Sequence, residues 1–155
     1  MKPHLVIGLG NPLMGDEGVG WHIIDRLAAD PRLSADTELL WCGTDLLACA
    51  AQIEGRTRIT LLDALLDPSR AGSVLVFADG SGLRGVEDRQ GHVHHLSLVQ
   101  AIHLLRIVTP SVKMARLSLI AICIDSACMQ PELSPSLAGK MSQILERVLQ
   151  ELAEG

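Results

Sequence analysis

The stretch LVIGLGNPLMGDEGVG, which runs from Leu5 to Gly20, decides how this chain folds. It begins with the apolar residues 5–7, which are typical of a buried strand. The segment GLGNP that follows tolerates tight or left-handed backbone and indicates a turn. Asp16 and Glu17 come next, just ahead of a helical pattern. A strand, a glycine-rich turn and a helix start open an α/β domain, in which sites lie at the carboxyl ends of the strands.

The same turn argues against nucleotide binding. Two adjacent carboxylates would repel the anion that a helix N-terminus attracts. Gly8 and Gly10 also lack the third glycine of a dinucleotide fingerprint, because Leu13 stands in its place. A nucleotide-binding Rossmann domain is therefore disfavoured.

Composition predicts a core-rich chain of one domain, residues 1–155. Hydrophobic residues make up 48% and charged residues 20%, with a mean hydropathy of +0.29, which excludes a disordered chain. Aromatic residues are only 2% and the net charge is −5, so stacking platforms and a basic footprint for nucleic acid are both lacking. A self-contained core with this charge favours a monomer.

Sequence signals for compartment point to the cytoplasm. No apolar stretch is long enough to span a membrane, and the first strand starts too early to leave room for a signal peptide. Cys42, Cys49, Cys123 and Cys128 form no C-x-x-C pair, which favours four reduced core thiols. Spacing alone leaves a disulfide open.

Hydrophobic periodicity and turn signals predict five strands and four helices. The strands are expected at about His4–Leu9, Glu38–Trp41, Arg58–Asp63, Ser73–Ala78 and Arg116–Cys123, and the helices at about Glu17–Ala29, Asp45–Gln52, Leu98–Val108 and Pro135–Leu152. The connection between strands 3 and 4, residues 64–72, is too short for the helical crossover that parallel strands need, and a proline interrupts it. Strand 4 should therefore run antiparallel to strand 3 in a mixed sheet. The apolar strand 5 should be central.

Three places in the sequence could carry chemistry. If strands 1 and 3 are parallel neighbours, Glu17 and Asp63 face one crevice, and a histidine from the run HVHH at 92–95 would complete an O/O/N cluster. Such a cluster suits a divalent ion such as nickel or zinc. Structural alternatives stand beside this: Asp16 as a helix cap, Glu17 as a first-turn acid, Asp63 as a turn residue and the histidines as a solvated loop.

The segment GLGNPLMGDEGVG, residues 8–20, resembles the opening motif of the nickel-iron hydrogenase maturation proteases. These are endopeptidases that remove a C-terminal peptide from the hydrogenase large subunit after nickel insertion. The resemblance runs from end to end, because shorter matches follow in order: Gly43-Thr44, Asp63-Ala64, Gly72-Ser73-Val74, His94-x-Leu96-Ser97-Leu98 and Leu133-Ser134-Pro135.

The resemblance implies a fold and a site. The fold is a three-layer α/β/α sandwich, phosphorylase/hydrolase-like, whose five-stranded mixed sheet has the order 2-1-3-5-4 with strand 4 antiparallel. Glu17, Asp63 and His94 match the metal ligands, and the choice of His94 among the histidines rests on the resemblance alone. The metal would be nickel delivered by the partner, the large-subunit precursor, with cadmium or zinc as substitutes in crystals.

The implied reaction is hydrolysis without a side-chain nucleophile. Asp16, Glu17 and Asp63 are the predicted catalytic residues, with water polarised by metal or activated by a carboxylate such as Asp16. The predicted substrate contacts are Gly43, Thr44 and Asp45, and the loop 79–91 is expected to discriminate between partners. Many members carry an aspartate before the Gly-Thr pair, where residues 41 and 42 are Trp and Cys here.

Two other functions stay open from the sequence. The first is a non-proteolytic nickel-binding chaperone, which would bind the precursor without cutting it. The second is a peptidyl-tRNA hydrolase, whose opening resembles GLGNP, although a net charge of −5 is unfavourable for binding tRNA.

Overall fold

The computed structural model describes residues 1–78 and 97–154. Its strands are β1 His4–Leu9, β2 Thr37–Gly43, β3 Arg58–Leu66, β4 Val74–Ala78 and β5 Arg116–Ile124. The α-helices of the described ranges are α1 Val19–Ala28, α2 Ala50–Ile53, α3 Leu98–Val108 and α4 Pro135–Glu154. Short 3-10 segments lie at Gly15–Gly18, Leu46–Cys49, Pro68–Arg70 and Pro110–Met114.

The five strands form one mixed sheet in the order β2-β1-β3-β5-β4. Strands β1, β2, β3 and β5 pair in parallel, and β4 pairs antiparallel with β5. The predicted order, the antiparallel fourth strand and the interior position of β5 are confirmed. β4 runs opposite to β3, as the short connection requires, but its hydrogen-bonded neighbour is β5.

Alternation along the strands divides the core between the two faces of the sheet. In β1, Leu5 and Ile7 belong to one buried cluster, and Val6 belongs to the other, as the two-residue period of a strand requires. Helices α2 and α3 cover the first cluster, and α1 and α4 cover the second. The predicted three-layer α/β/α arrangement is therefore confirmed.

Helix α1 lies close against β1 because glycine leaves room for it. A Cβ atom on Gly20 would lie 2.6 Å from the carbonyl oxygen of Leu9, and one on Gly8 would lie 2.7 Å from the side chain of Ile24. Any larger residue at either position would push the helix away from the strand. The sequence GLG…GVG thus fixes the approach of the first helix as well as the turn before it.

The ends of several elements differ from the predictions. β3 continues to Leu66, beyond the expected end at Asp63, because it pairs with β5 over its whole length. The helix expected to begin at Glu17 starts as a 3-10 turn and becomes α-helical at Val19. The short helix expected from Asp45 likewise begins as a 3-10 turn.

The prediction of four free thiols is wrong for one pair. Cys42 and Cys49 form a disulfide with their Cα atoms 6.2 Å apart. The 3-10 turn after β2 brings the chain back on itself and places the two residues at a separation that a disulfide spans. Cys123 is buried, and Cys128 is an exposed free thiol.

Within the described ranges, every helix is too short or too polar to cross a membrane.

Candidate active site

A cavity of about 260 Å³ lies at the carboxyl ends of β1 and β3. The turn after β1, the loop after β2, the end of β3 and the first turns of α3 form its walls. The described residues that line it are Leu9, Gly10, Asn11, Glu17, Gly43, Thr44, Leu46, Asp63, Ala64, Leu98 and Ala101. The site therefore occupies the edge of the sheet that the sequence predicts.

Gly10 shapes the turn that carries Glu17. Its φ of +117° is accessible to glycine and strained for other residues, and a Cβ atom there would overlap the carbonyl oxygen of Glu17. The Gly10 N–H donates to the carbonyl of Gly43 at 2.9 Å. The chain can therefore fold back over the end of β1 and place Glu17 at the cavity wall.

Glu17 and Asp63 face this cavity together. Both side chains are half-buried. Burial and, to a smaller degree, the charge of Glu17 raise the pKa of Asp63 to about 7, while a hydrogen bond from the Ala64 N–H to Asp63 Oδ1 at 2.8 Å opposes the rise. The predicted meeting of the two carboxylates in one crevice is confirmed, and so the two provide oxygen ligands that a divalent cation would stabilise in the charged form.

Asp16 does not share this cavity. Its buried carboxylate accepts hydrogen bonds from the Ser134 N–H and hydroxyl, each at 2.7 Å. Ser134 Oγ in turn accepts from the Leu137 N–H at the start of α4. The expectation that Asp16 caps the first helix is wrong, since neither helical segment after it has a side-chain cap. Asp16 instead joins the first turn to the last helix.

The loop after β2 brings two of its three predicted substrate contacts to the cavity. Gly43 and Thr44 line it. Asp45 does not, because its carboxylate accepts from the N–H groups of Leu47 and Ala48 and begins the 3-10 turn. The disulfide between Cys42 and Cys49 spans this loop, so a covalent bond constrains the part of the cavity wall that Gly43 and Thr44 form.

His94, the third predicted ligand, lies outside the described residues, as do His92, His95 and the loop 79–91. Among residues 1–78 and 97–154, no three His, Cys, Asp or Glu side chains form a group that could hold a metal. The pair Glu17 and Asp63 is therefore the described part of the predicted ligand set.

The lining residues Asn11, Leu98 and Ala101 are among those that the sequence did not indicate as site residues. Leu98 and Ala101 come from the first turns of α3, which begins with a capping box between Ser97 and Gln100. Asn11 lines the cavity from within the GLGNP turn, where its residue type indicated only turn formation. Its position after the first strand, at the edge where sites lie, was the available signal.

The fold is that of a class of proteins, the hydrogenase maturation proteases, to which this chain is similar. The HybD endopeptidase of Escherichia coli superimposes with a TM-score of 0.79 at 25% identity, over 99% of this chain and 93% of that one. The [NiFe] hydrogenase maturation protease HybD of Thermococcus kodakarensis superimposes with a TM-score of 0.79 at 24% identity, over 98% and 99% of the two chains.

Sequence comparison agrees with the fold. The chain is 25% identical over 150 residues to the hydrogenase 2 maturation protease of Escherichia coli strain K12, covering 97% of this chain and 90% of that protein. No protein-family model matches the chain. The chain thus has the fold of the hydrogenase maturation proteases, as its motifs predict, and is similar in sequence to one of them over most of its length.

Proposed function

We propose that this protein is an endopeptidase that removes the C-terminal peptide of a nickel-iron hydrogenase large-subunit precursor after nickel insertion. The observation that supports this most is the placement of Glu17 and Asp63 in one cavity at the carboxyl edge of the sheet. The names of its relatives, which are hydrogenase maturation proteases, support the reaction type.

In this proposal the nickel centre of the precursor is the feature that is recognised. Glu17 and Asp63 bind it together with His94, which precedes the cavity-lining Leu98 by four residues in the sequence. The Glu17 carboxylate has no hydrogen-bond or ion-pair partner among residues 1–78 and 97–154, and Asp63 engages only Oδ1. Oxygen atoms of both carboxylates therefore remain for a cation. Binding the metal positions the neighbouring peptide bond for hydrolysis.

In this proposal the water that attacks the peptide bond is activated inside the cavity. The raised pKa of Asp63, about 7, describes the site before the nickel centre enters. A bound cation holds the carboxylate in the charged form, so in this proposal the attacking water is polarised by the metal of the precursor. Asp16, the earlier candidate, uses both carboxylate oxygens on Ser134. The Asp16→Asn variant is therefore expected to cut the precursor at temperatures where the variant stays folded. If the folded variant does not cut the precursor, Asp16 is the base after all.

The test compares nickel-loaded with nickel-free large-subunit precursors, across a panel of nickel-iron hydrogenases. Wild type should release the C-terminal peptide, seen as a gel shift and identified by mass spectrometry, from the loaded form of at least one precursor. Glu17→Gln and His94→Ala should lose this activity. Glu54→Gln and His103→Ala, which change exposed residues away from the cavity lining, are the matched controls.

Two results would contradict the proposal. Full activity of both site variants would remove Glu17 and His94 from the site. Stable binding of loaded precursor by wild type without release of any peptide would favour the nickel-binding chaperone instead.

A further inference from the structure

The cavity needs a hydrogen-bond donor as well as its carboxylates. A polypeptide in the site presents carbonyl oxygens, which only donors can satisfy, and the Glu17 and Asp63 carboxylates accept when ionised. Of the backbone N–H groups at the wall, that of Gly10 is already bonded to Gly43 O and that of Ala64 to Asp63 Oδ1. Asn11 and Thr44 carry the side-chain donors among the described lining residues, and Asn11 is the half-buried one of the two, since Thr44 is exposed.

The conformation of Asn11 decides which end of its amide is available. Asn11 Oδ1 accepts from the Leu13 N–H at 3.0 Å, and the Asn11 carbonyl accepts from the Met14 N–H at 3.0 Å. Because a backbone N–H can bond only to the oxygen of the amide, Nδ2 is the end that is left. It has no hydrogen-bond partner among residues 1–78 and 97–154.

The turn that carries Asn11 is also rigidly held. The preceding residue, Gly10, is bonded to the loop after β2, and a Cβ atom on Gly18 would lie 3.3 Å from the Asn11 carbonyl oxygen, so the helical segment packs directly against the turn. Asn11 is thus presented on a fixed frame, which is what a transition-state donor requires.

Asn11 lines the same cavity as Glu17 and Asp63. A peptide carbonyl that enters this cavity and accepts from Nδ2 therefore lies near the two carboxylates. We infer that Asn11 Nδ2 donates a hydrogen bond to the carbonyl oxygen of the peptide bond that is cleaved and stabilises the negative charge that develops there. This inference rests on the proposed endopeptidase function.

Two substitutions test the donor role of Asn11 Nδ2 separately from the role of the side chain in holding the turn. Asn11→Asp keeps an oxygen for the Leu13 N–H and replaces the donor by an acceptor. Asn11→Ser keeps a smaller acceptor for the same N–H and removes the amide. Single-turnover cleavage of nickel-loaded precursor, with enzyme in excess, gives the limiting rate and the half-saturating enzyme concentration. Thermal melts of each variant report on folding.

Both variants should lose about 10²- to 10³-fold in limiting rate, while the half-saturating concentration changes by less than about threefold. A limiting rate within about threefold of wild type in either folded variant would overturn the inference. So would a raised half-saturating concentration at an unchanged limiting rate, since that describes a ground-state contact. If Asn11→Ser does not fold, Asn11→Asp decides alone. Failure of wild type to cut any loaded precursor would overturn the proposed function and this inference together, whereas cleavage by wild type and variants alike would overturn only the inference.

Discussion

Replacing Asp63 by asparagine should stabilise the folded protein, and the gain should grow with pH. The pKa of Asp63 is raised from 3.8 to about 7 in the folded state. Below pH 3.8 the carboxyl is protonated in the folded and unfolded chains alike, and the raised pKa has no adverse effect. As pH rises towards 7 the unfolded chain releases the proton first, so stability is lost.

The magnitude follows from the same pKa. A tenfold change in proton affinity corresponds to about 1.4 kcal/mol, so an ionised Asp63 destabilises the fold by up to about 4 kcal/mol above pH 7. Between pH 5 and pH 8 the advantage of Asp63→Asn should increase by about 2 to 3 kcal/mol. For a chain of this size that corresponds to about 5 to 10 °C in Tm. Asparagine keeps an oxygen that can accept from the Ala64 N–H.

Urea unfolding at pH 5, 6, 7 and 8, with a chelator present, measures the difference in free energy. Asp125→Asn is the matched control, because Asp125 is an exposed carboxylate just after the neighbouring strand β5. Glu17→Gln should show a smaller gain in the same direction, because the Glu17 charge contributes to the raised pKa. An advantage of Asp63→Asn that is equal at pH 5 and pH 8, or a variant less stable than wild type at pH 8, would refute the reasoning.

Three further predictions concern residues outside the carboxylate pair. Replacing both Cys42 and Cys49 by serine removes a cross-link between residues seven positions apart, which should lower the free energy of unfolding by about 2.5 kcal/mol. Calorimetry with and without a dithiol reductant checks this, and a wild-type protein whose stability does not change with the reductant would contradict it. Burial lowers the pKa of His4 to about 4, so the stability it contributes is present above pH 6.5 and lost as pH falls towards 4, by up to about 3 kcal/mol; His4→Gln should reduce the acid sensitivity of unfolding over that interval, and an unchanged pH profile would argue against a buried neutral imidazole. Asp16→Ala should cost about 2 to 4 kcal/mol, because two hydrogen bonds from Ser134 to a buried charged group are lost; Asp16→Asn, which keeps an acceptor, should lose less in the same urea titration, and equal losses would deny the role of these bonds.

Local patterns predicted the architecture because this fold agrees with them at each step. The apolar run 5–7, the glycine-rich turn and the apolar stripe of α1 are each short-range signals. The predicted connection 64–72 is too short for a parallel return, which determined the predicted direction of β4. The edge at which Glu17 and Asp63 meet also follows from parallel pairing of β1 with β3.

Contacts that depend on the folded backbone could not be predicted from the sequence, whether they join distant or neighbouring residues. The bond between Asp16 and Ser134 joins residues 118 positions apart, and a helix-cap pattern at Asp16 gives the same local signal whether or not the cap forms. The pairing of Cys42 with Cys49 depends on the 3-10 turn that follows β2. The free Nδ2 of Asn11 depends on which amide end the turn engages.

The contact between Asp16 and Ser134 has a consequence for biosynthesis. The ribosome adds about 5 to 20 residues per second, so some 6 to 24 s separate the emergence of Asp16 from that of its partner. During this interval a nascent chain holds β1 and its glycine turn without the donors that later satisfy the turn. The hydrogen bonding of Asp16 is complete only once Ser134, just before α4, has reached it, so the turn that leads into α1 is completed only after the last helix has begun to emerge.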